Sequence, residues 1–308
     1  RDRVTERERL IIQSTYVSVV ERDIPQSIKI DEEIIQKFPH EQETYLSLGL
    51  KYETLGESEK CRQTFQLGLE RDSLDKNLWN VLAYSFLNSG RREEALAAIE
   101  RYLRLAPGEP NPYDSKGDIY FSFGQLDSAE YWWRKALTFR PDFGSDTKLA
   151  FRALLKGDED EATQIWFKYA SNQGEAQELL KAMFSQLVLH YHGQLKKAQI
   201  DAEPLIAGAK QRHDRAAIAA LYEAQVMNAY ETGNNASMLD YAKRRVTEVP
   251  EPKPSIFSGR DLLAFALLVN GRKREADQLI GEIERDLPKV STRDRARFDH
   301  YRAMASYQ

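Results

Sequence analysis

Residues 76–107 read KNLWNVLAYSFLNSGRREEALAAIERYLRLAP, and this stretch decides the fold. Its first half carries apolar residues at spacings of three and four, namely Trp79, Leu82, Ala83 and Phe86. Such spacing predicts one apolar stripe on a helix of about 13 residues, which Gly90 is expected to end. A second stripe follows through Ala95, Ile99 and Tyr102 and stops at Pro107. The stretch therefore predicts an antiparallel helix hairpin.

The same pattern recurs every 34 residues, as the positions of Gly56, Gly90 and Gly124 indicate. The preceding copy has equivalent residues at Tyr45, Leu48, Gly49, Tyr52, Cys61, Phe65, Gly68 and Ser73. The following copy has them at Tyr113, Lys116, Gly117, Tyr120, Ala129, Trp133, Ala136 and Pro141. Small residues in both helices predict close backbone approach, with aromatic residues filling the space toward the next hairpin.

This register resembles the tetratricopeptide repeat (TPR), whose aromatic, Leu-Gly, aromatic, Gly, Ala, aromatic, Ala and Pro positions recur at these offsets. The resemblance implies an all-α protein, a right-handed superhelical solenoid of antiparallel helix hairpins with a C-terminal capping helix. It also implies that the first helix of each hairpin lines a concave groove.

The register extends over most of the chain. We expect a TPR-like solenoid of about eight hairpins over 1–290, regular in 42–143 and divergent in 8–41 and 144–288. Residues 291–308 read as a capping helix with a charged outer face, carrying Arg293, Asp294, Arg295, Arg297 and Asp299. The prolines at 250, 252 and 254 predict a stiff connector within 248–258 rather than a domain boundary.

Composition excludes several classes of protein. The chain of 308 residues is 42% hydrophobic with a net charge of -4, which favours a folded protein and disfavours nucleic acid as a partner. Its single cysteine, Cys61, excludes an internal disulfide. The longest apolar run, 262–269, is far below the roughly 20 residues of a membrane-spanning helix, so we expect no span and favour the cytoplasm.

The sequence predicts no catalytic site, metal site or cofactor. It lacks a phosphate-binding Gly-x-x-x-x-Gly-Lys-Ser/Thr loop, a dinucleotide-binding glycine motif and a Gly-x-Ser-x-Gly elbow. His190 and His192 would point apart on a helix, and Asp158 to Glu161 reads as a solvated helix start. Cys61 holds a small-residue contact position, which favours a buried, inert thiol.

We therefore expect a non-enzymatic scaffold whose first helices bind a protein or peptide. The predicted groove residues are Tyr16, Leu50, Asn77, Asn80, Tyr84, Asn88, Asp114, Asp118, Phe121, Lys148 and Arg152. Asn side chains can pair with both the donor and the acceptor of a peptide backbone. The charged members, Asp114 and Asp118 beside Lys148 and Arg152, suggest either a ligand with charges of both signs or internal ion pairs.

Two other functions remain open. The terminal hairpins could mediate homodimerisation, or an unrecognised enzyme site could lie around His190 and His192. Residues 5–10, TERERL, with Tyr16 and the turn at Asp23, resemble the start of TPR regions in bacterial signalling proteins, which include serine/threonine kinases, nucleotide cyclases and winged-helix regulators. Because the chain starts at Arg1 without Met, we expect a fragment with an effector domain on its N-terminal side.

Overall fold

The computed structural model describes residues 4–21, 23–250, 259–286, 300–301 and 303. Every regular element among these residues is helical, so the predicted all-α class is confirmed. The chain divides into two compact units, Arg1–Lys156 and Gly157–Gln308. The division falls within the turn of the fifth predicted hairpin.

The amino-terminal unit contains nine described helices. They are α1 Glu6–Tyr16, α2 Ile24–Lys37, α3 Gln42–Thr54, α4 Ser58–Arg71, α5 Lys76–Asn88, α6 Arg92–Leu105, α7 Pro110–Ser122, α8 Leu126–Phe139 and α9 Ser145–Leu155. A π-helical turn, Val17–Glu21, follows α1. Helices α1 to α8 pack as four consecutive hairpins, and α9 packs against α8.

The carboxy-terminal unit contains seven described helices. They are α10 Glu159–Ser171, α11 Gln177–Tyr191, α12 Leu195–Gln211, α13 Arg215–Glu231, α14 Asn235–Glu248, α15 Arg260–Val269 and α16 Lys273–Asp286. Helix α11 packs against both α10 and α12. The later helices pair as α13 with α14 and α15 with α16.

Local signals in the sequence position the helix ends. The Asp75 side chain accepts hydrogen bonds from the backbone amides of Asn77 and Leu78, so it caps the start of α5. Gly90 (φ +71°) and Gly124 (φ +73°) adopt the left-handed conformation that ends the first helix of a hairpin. These glycines recur because each turn needs the same backbone conformation.

The core of the amino-terminal unit follows the predicted stripes, although some of their aromatic residues are only partly buried. Tyr45, Phe65 and Ile99 are completely buried. Trp79 occupies the position equivalent to Tyr45 but is only partly buried, and its neighbour Leu78 is completely buried instead. Trp79 is more exposed because it borders a pocket between α4 and α6.

Asp31 departs from the aromatic residue that the repeat register places there, and it lies in a buried polar cluster. Its carboxylate, 2% exposed, lies 2.5 Å from the Lys51 ammonium. Ser14 and Ser47 both donate hydrogen bonds to it. These contacts satisfy a charge that would otherwise be costly to bury.

Several predicted features lie outside the described residues. These are the charged residues of the capping helix, Pro288 and the connector prolines at 252 and 254. Of the predicted cap, Tyr301 is described, and its ring stacks on Phe265 with centroids 4.7 Å apart.

Candidate functional site

Polar side chains of α3, α5, α7 and α9 are connected by hydrogen bonds between successive first helices. Asn88 on α5 donates to the Glu53 Oε1 of α3 over 3.0 Å. Tyr84 on α5 donates its hydroxyl hydrogen to the Asp118 Oδ2 of α7 over 2.7 Å. We call the surface formed by these side chains, together with the other predicted groove residues of the same helices, the first-helix face.

The charged end of this face is centred on Lys148. Its Nζ lies 2.6 Å from the Asp114 Oδ2 and 2.7 Å from the Asp118 Oδ1. Asp118 Oδ1 also accepts a hydrogen bond of 3.0 Å from the Trp133 indole. Two carboxylates therefore share one ammonium group, which leaves the cluster with excess negative charge.

Burial modifies the acid-base properties of this cluster. It raises the pKa of the Asp114 carboxyl above its ordinary value, although Lys148 and a hydrogen bond from Ser145 act in the opposite direction. Burial and the nearby Asp118 carboxylate raise the pKa of the Tyr84 hydroxyl. Tyr84 therefore remains a neutral hydrogen-bond donor at ordinary pH.

Arg152 does not join this cluster. Its side chain is 3% exposed, with Nη2 2.7 Å from the Asp127 Oδ1 and Nε 2.8 Å from the Glu130 Oε2 on α8. The sequence left two interpretations of these charged residues, a ligand with charges of both signs or internal ion pairs. The structure has internal ion pairs, but Lys148 and Arg152 form them with different partners.

Asn80 differs from the other polar residues of the face. Its Oδ1 is buried and accepts no hydrogen bond within the described structure. Asn77, one turn earlier on α5, is exposed. An unpaired buried acceptor costs about 1 to 3 kcal/mol, and a donor from a bound molecule reaches this oxygen only after the Asn80 side-chain amide rotates.

The apolar candidates are exposed. The exposed fractions are 53% for Tyr16 at the end of α1, 42% for Leu50 on α3 and 37% for Phe121 on α7. The Phe121 ring also contacts Trp133, with centroids 5.4 Å apart. These side chains offer apolar contact area beside the polar groups of the face.

Sequence reasoning missed Glu53, Trp133 and Ser145. The repeat register could have indicated part of the network, because Tyr84 and Asp118 are 34 positions apart, as are Asp114 and Lys148. Trp133 was missed because it belongs to a second helix. Its indole reaches Asp118 across Gly117, which has no side chain to block it.

The alternative catalytic residues have ordinary contacts. His190 Nδ1 lies 2.8 Å from the Gln186 carbonyl oxygen, and His192 Nε2 lies 2.6 Å from the Glu159 Oε2. Cys61 is completely buried, and burial raises the pKa of its thiol to about 11. The residues that the structure describes contain no group of three or more His, Cys, Asp or Glu side chains arranged to hold a metal ion.

No helix within the described ranges combines the length and the apolar character needed to traverse a bilayer.

Comparison with known proteins agrees with the helix-hairpin pattern. Residues 77–109 match the tetratricopeptide repeat family model. Over 65 residues the chain is 38% identical to the peroxisomal targeting signal receptor of Saccharomyces cerevisiae, a match that covers 21% of this chain and 11% of the receptor. The chain thus matches only a small part of that receptor's length.

One solved structure shows a similar fold over about two thirds of the chain at low sequence identity. PilW, a widely conserved type IV pilus biogenesis factor, is 20% identical with a TM-score of 0.52, and the match covers 66% of this chain and 94% of that one. A tetratricopeptide repeat protein from Parabacteroides merdae is 16% identical with a TM-score of 0.46, covering 97% of this chain and 98% of that one. Over α5 and α6 the chain therefore matches a tetratricopeptide repeat, and all its described regular elements are helical.

Proposed function

We propose that the chain is a non-enzymatic scaffold whose first-helix face binds an extended segment of a partner protein. Tetratricopeptide repeats mediate interactions between proteins, and this face combines fixed polar groups with exposed apolar side chains. The observation that carries the proposal is the row of side chains fixed by hydrogen bonds, Asn88 to Glu53 and Tyr84 to Asp118. Asn80 on the same helix α5 is half-buried, and rotation of its side-chain amide would let it pair with the backbone of a bound segment.

The charge of the face favours a particular kind of segment. Lys148 is already paired with Asp114 and Asp118, so it has little capacity left for an anionic ligand. The excess negative charge of that cluster and the exposed Glu53 at the other side of Tyr84 attract a cation. We therefore expect the segment to carry Lys or Arg near Asp118.

A displayed library of unstructured peptides would test the proposal. Peptides selected on the wild-type protein should contain basic residues, and Asn80→Ala should weaken their binding at least tenfold, which corresponds to about 1.4 kcal/mol. Gln63→Ala, an exposed amide on α4, is the matched control and should leave binding unchanged. Equal binding by wild type and Asn80→Ala would contradict the proposal.

Self-association is a second candidate, because apolar side chains are exposed at the amino-terminal end of the described structure. The exposed fractions are 58% for Ile12, 67% for Val19 and 51% for Val20. Clustered apolar exposure of this kind is typical of interfaces. Light scattering over a wide concentration range should then show a dimer that Val19→Glu dissociates, and a constant mass near 35.5 kDa would exclude it.

The resemblance to bacterial signalling proteins supports a narrower proposal, in which this scaffold acts in the cytoplasm and regulates an effector domain. If so, a ligand of the first-helix face should change the activity of the full-length protein, and Asn80→Ala should remove that effect. If the ligand leaves the activity of the effector domain unchanged, the chain binds a partner but does not regulate the effector.

A further inference from the structure

A pocket of about 650 Å³ opens between the second helices α4 and α6, with α5 as its floor. Leu82 and Phe86 of α5 form the apolar floor, with Leu69 of α4 beside them, and all three are almost completely buried. Trp79 forms one wall, and its indole nitrogen donates a hydrogen bond of 2.9 Å to the Ser73 carbonyl oxygen. This wall is therefore held in one orientation before anything binds.

The pocket exists because α6 presents small residues toward it. Ala97 and Ala98 line the pocket, and their equivalents 34 positions later are Tyr131 and Trp132. In that next repeat, the Lys116 Nζ lies 3.7 Å from the centre of the Trp132 ring. A large aromatic ring and a lysine stem thus occupy the equivalent space.

Both neighbouring repeats also connect their first helix to the preceding second helix by a polar contact. Tyr52 donates to the Glu32 Oε1 over 2.6 Å, and Lys116 forms an ion pair with Glu100. The equivalents of Tyr52 and Lys116 in the middle repeat are the apolar Phe86 and Leu82. The polar contacts between α4 and α5, such as the hydrogen bond from Arg62 to Ser89 at the end of α5, lie at other positions outside the pocket. At the pocket itself the middle repeat has neither the polar contact nor the aromatic ring, so the space remains open.

Opposite charges lie along the edges of the pocket. Glu94, Ala97, Ala98 and Arg101 are spaced by three, one and three residues, so they form one stripe of α6. Glu94 and Arg101 stand about 10 Å apart along the helix axis, from a rise of 1.5 Å per residue. The Glu94 Oε1 accepts hydrogen bonds from the Arg91 guanidinium, and the Glu94 side chain is still 42% exposed, so part of its carboxylate faces solvent. Arg101 and the Glu70 of α4 are exposed and form no hydrogen bond or ion pair within the described residues.

We propose that this pocket is a second docking site, which binds an amphipathic helix of a partner protein. A large apolar side chain of that helix enters the pocket above Ala98. A basic residue on one side of it pairs with Glu94, and an acidic residue on the other side pairs with Arg101. A helix packed along α6 has the same rise per residue, so its two charged residues are about seven positions apart. The site is separate from the first-helix face and does not depend on it.

The test uses a displayed library of helical peptides of about 16 residues. This length exceeds the roughly 12 to 15 residues below which an isolated helix is marginally stable in water. Peptides selected on the wild-type protein should carry one large apolar residue between a basic and an acidic residue. Ala98→Trp fills the pocket as Trp132 does in the next repeat, and binding should fall at least tenfold. Gln63→Trp, an exposed position on α4 outside the pocket, is the matched control and should bind like wild type.

A charge reversal provides a test that does not require a change in the pocket interior. Selection on Arg101→Glu should replace the acidic residue of the peptides by a basic one. Two outcomes would overturn the proposal. One is equal binding of the peptides to wild type and Ala98→Trp, and the other is that selection on Arg101→Glu still yields peptides with the acidic residue. Asn80→Ala should leave this binding unchanged, so loss of the first-helix site and loss of this site are distinguishable.

Discussion

Trp133 occupies the space that a side chain at Gly117 would require. A Cβ atom at Gly117 would lie 2.4 Å from the Trp133 Cδ1, far inside van der Waals contact. The same close approach lets the indole nitrogen donate to Asp118. One glycine therefore serves both the packing of α7 on α8 and the hydrogen-bond network of the first-helix face.

Gly117→Ala should destabilise the protein by about 1 to 3 kcal/mol because the indole must shift out of a well-packed site. This loss should appear even though alanine is intrinsically better than glycine within a helix. Urea denaturation measures it. Gly108→Ala is the control, since a Cβ at that exposed position meets nothing within 4 Å. Equal stability of the two variants would contradict the packing assigned to Trp133.

Lys148→Met should destabilise the protein by about 1 to 3 kcal/mol because two partly buried carboxylates lose their shared cation. Lys148 is itself 31% exposed, so water screens part of this effect. Adding Asp114→Asn to Lys148→Met should recover a part of the stability, since one uncompensated charge is removed. A double-mutant cycle at neutral pH measures the coupling, and strict additivity would show that the ion pair contributes nothing.

The cost of Lys148→Met should depend on pH. Burial already raises the pKa of Asp114 in the folded protein, and loss of the opposing ammonium should raise it further. A carboxyl whose pKa is higher in the folded than in the unfolded protein contributes stability at low pH. This contribution is lost as the pH rises through the pKa of the folded protein. The variant should therefore be closer to wild type near pH 4 than near pH 7, and a constant difference would contradict this assignment.

Cys61 should react slowly with iodoacetamide in the folded protein and rapidly in denaturant, because the buried thiol has a pKa of about 11. Between about pH 9 and 11, the unfolded chain ionises this thiol before the folded one does. Its contribution to stability is therefore lost as the pH rises through that window. Wild type should lose more unfolding free energy there than Cys61→Ala, and identical slopes would count against a raised pKa.

Amide hydrogens should exchange faster in α11 than in α5. Helix α11 has 15 residues but fully buries only Phe184 and Gln186, whereas α5 has 13 residues and fully buries five. Fewer buried contacts lower the free energy of local opening. Hydrogen exchange followed by mass spectrometry measures both helices in one sample, so each helix serves as the internal reference for the other. Equal protection would show that burial does not set the opening energy here.

The sequence by itself determined the hairpin architecture and the turns. Spacings of three and four define which side of a helix is buried, and Gly90 and Gly124 supply the left-handed backbone that each turn requires. These are local properties, repeated every 34 residues, so they can be recognised without knowing the tertiary structure. The same register predicted Tyr84, Asn88, Asp118 and Lys148 of the first-helix face, but it did not predict Glu53.

Only the tertiary structure decided which side chains pair and where space remains. Lys148 binds Asp114 and Asp118, while Arg152, one turn later, turns to Asp127 and Glu130. The pocket above Ala98 likewise depends on what α4 and α5 place opposite it. Pairing and cavities are set by distances between helices that are remote in sequence, and a pattern along one helix does not contain those distances.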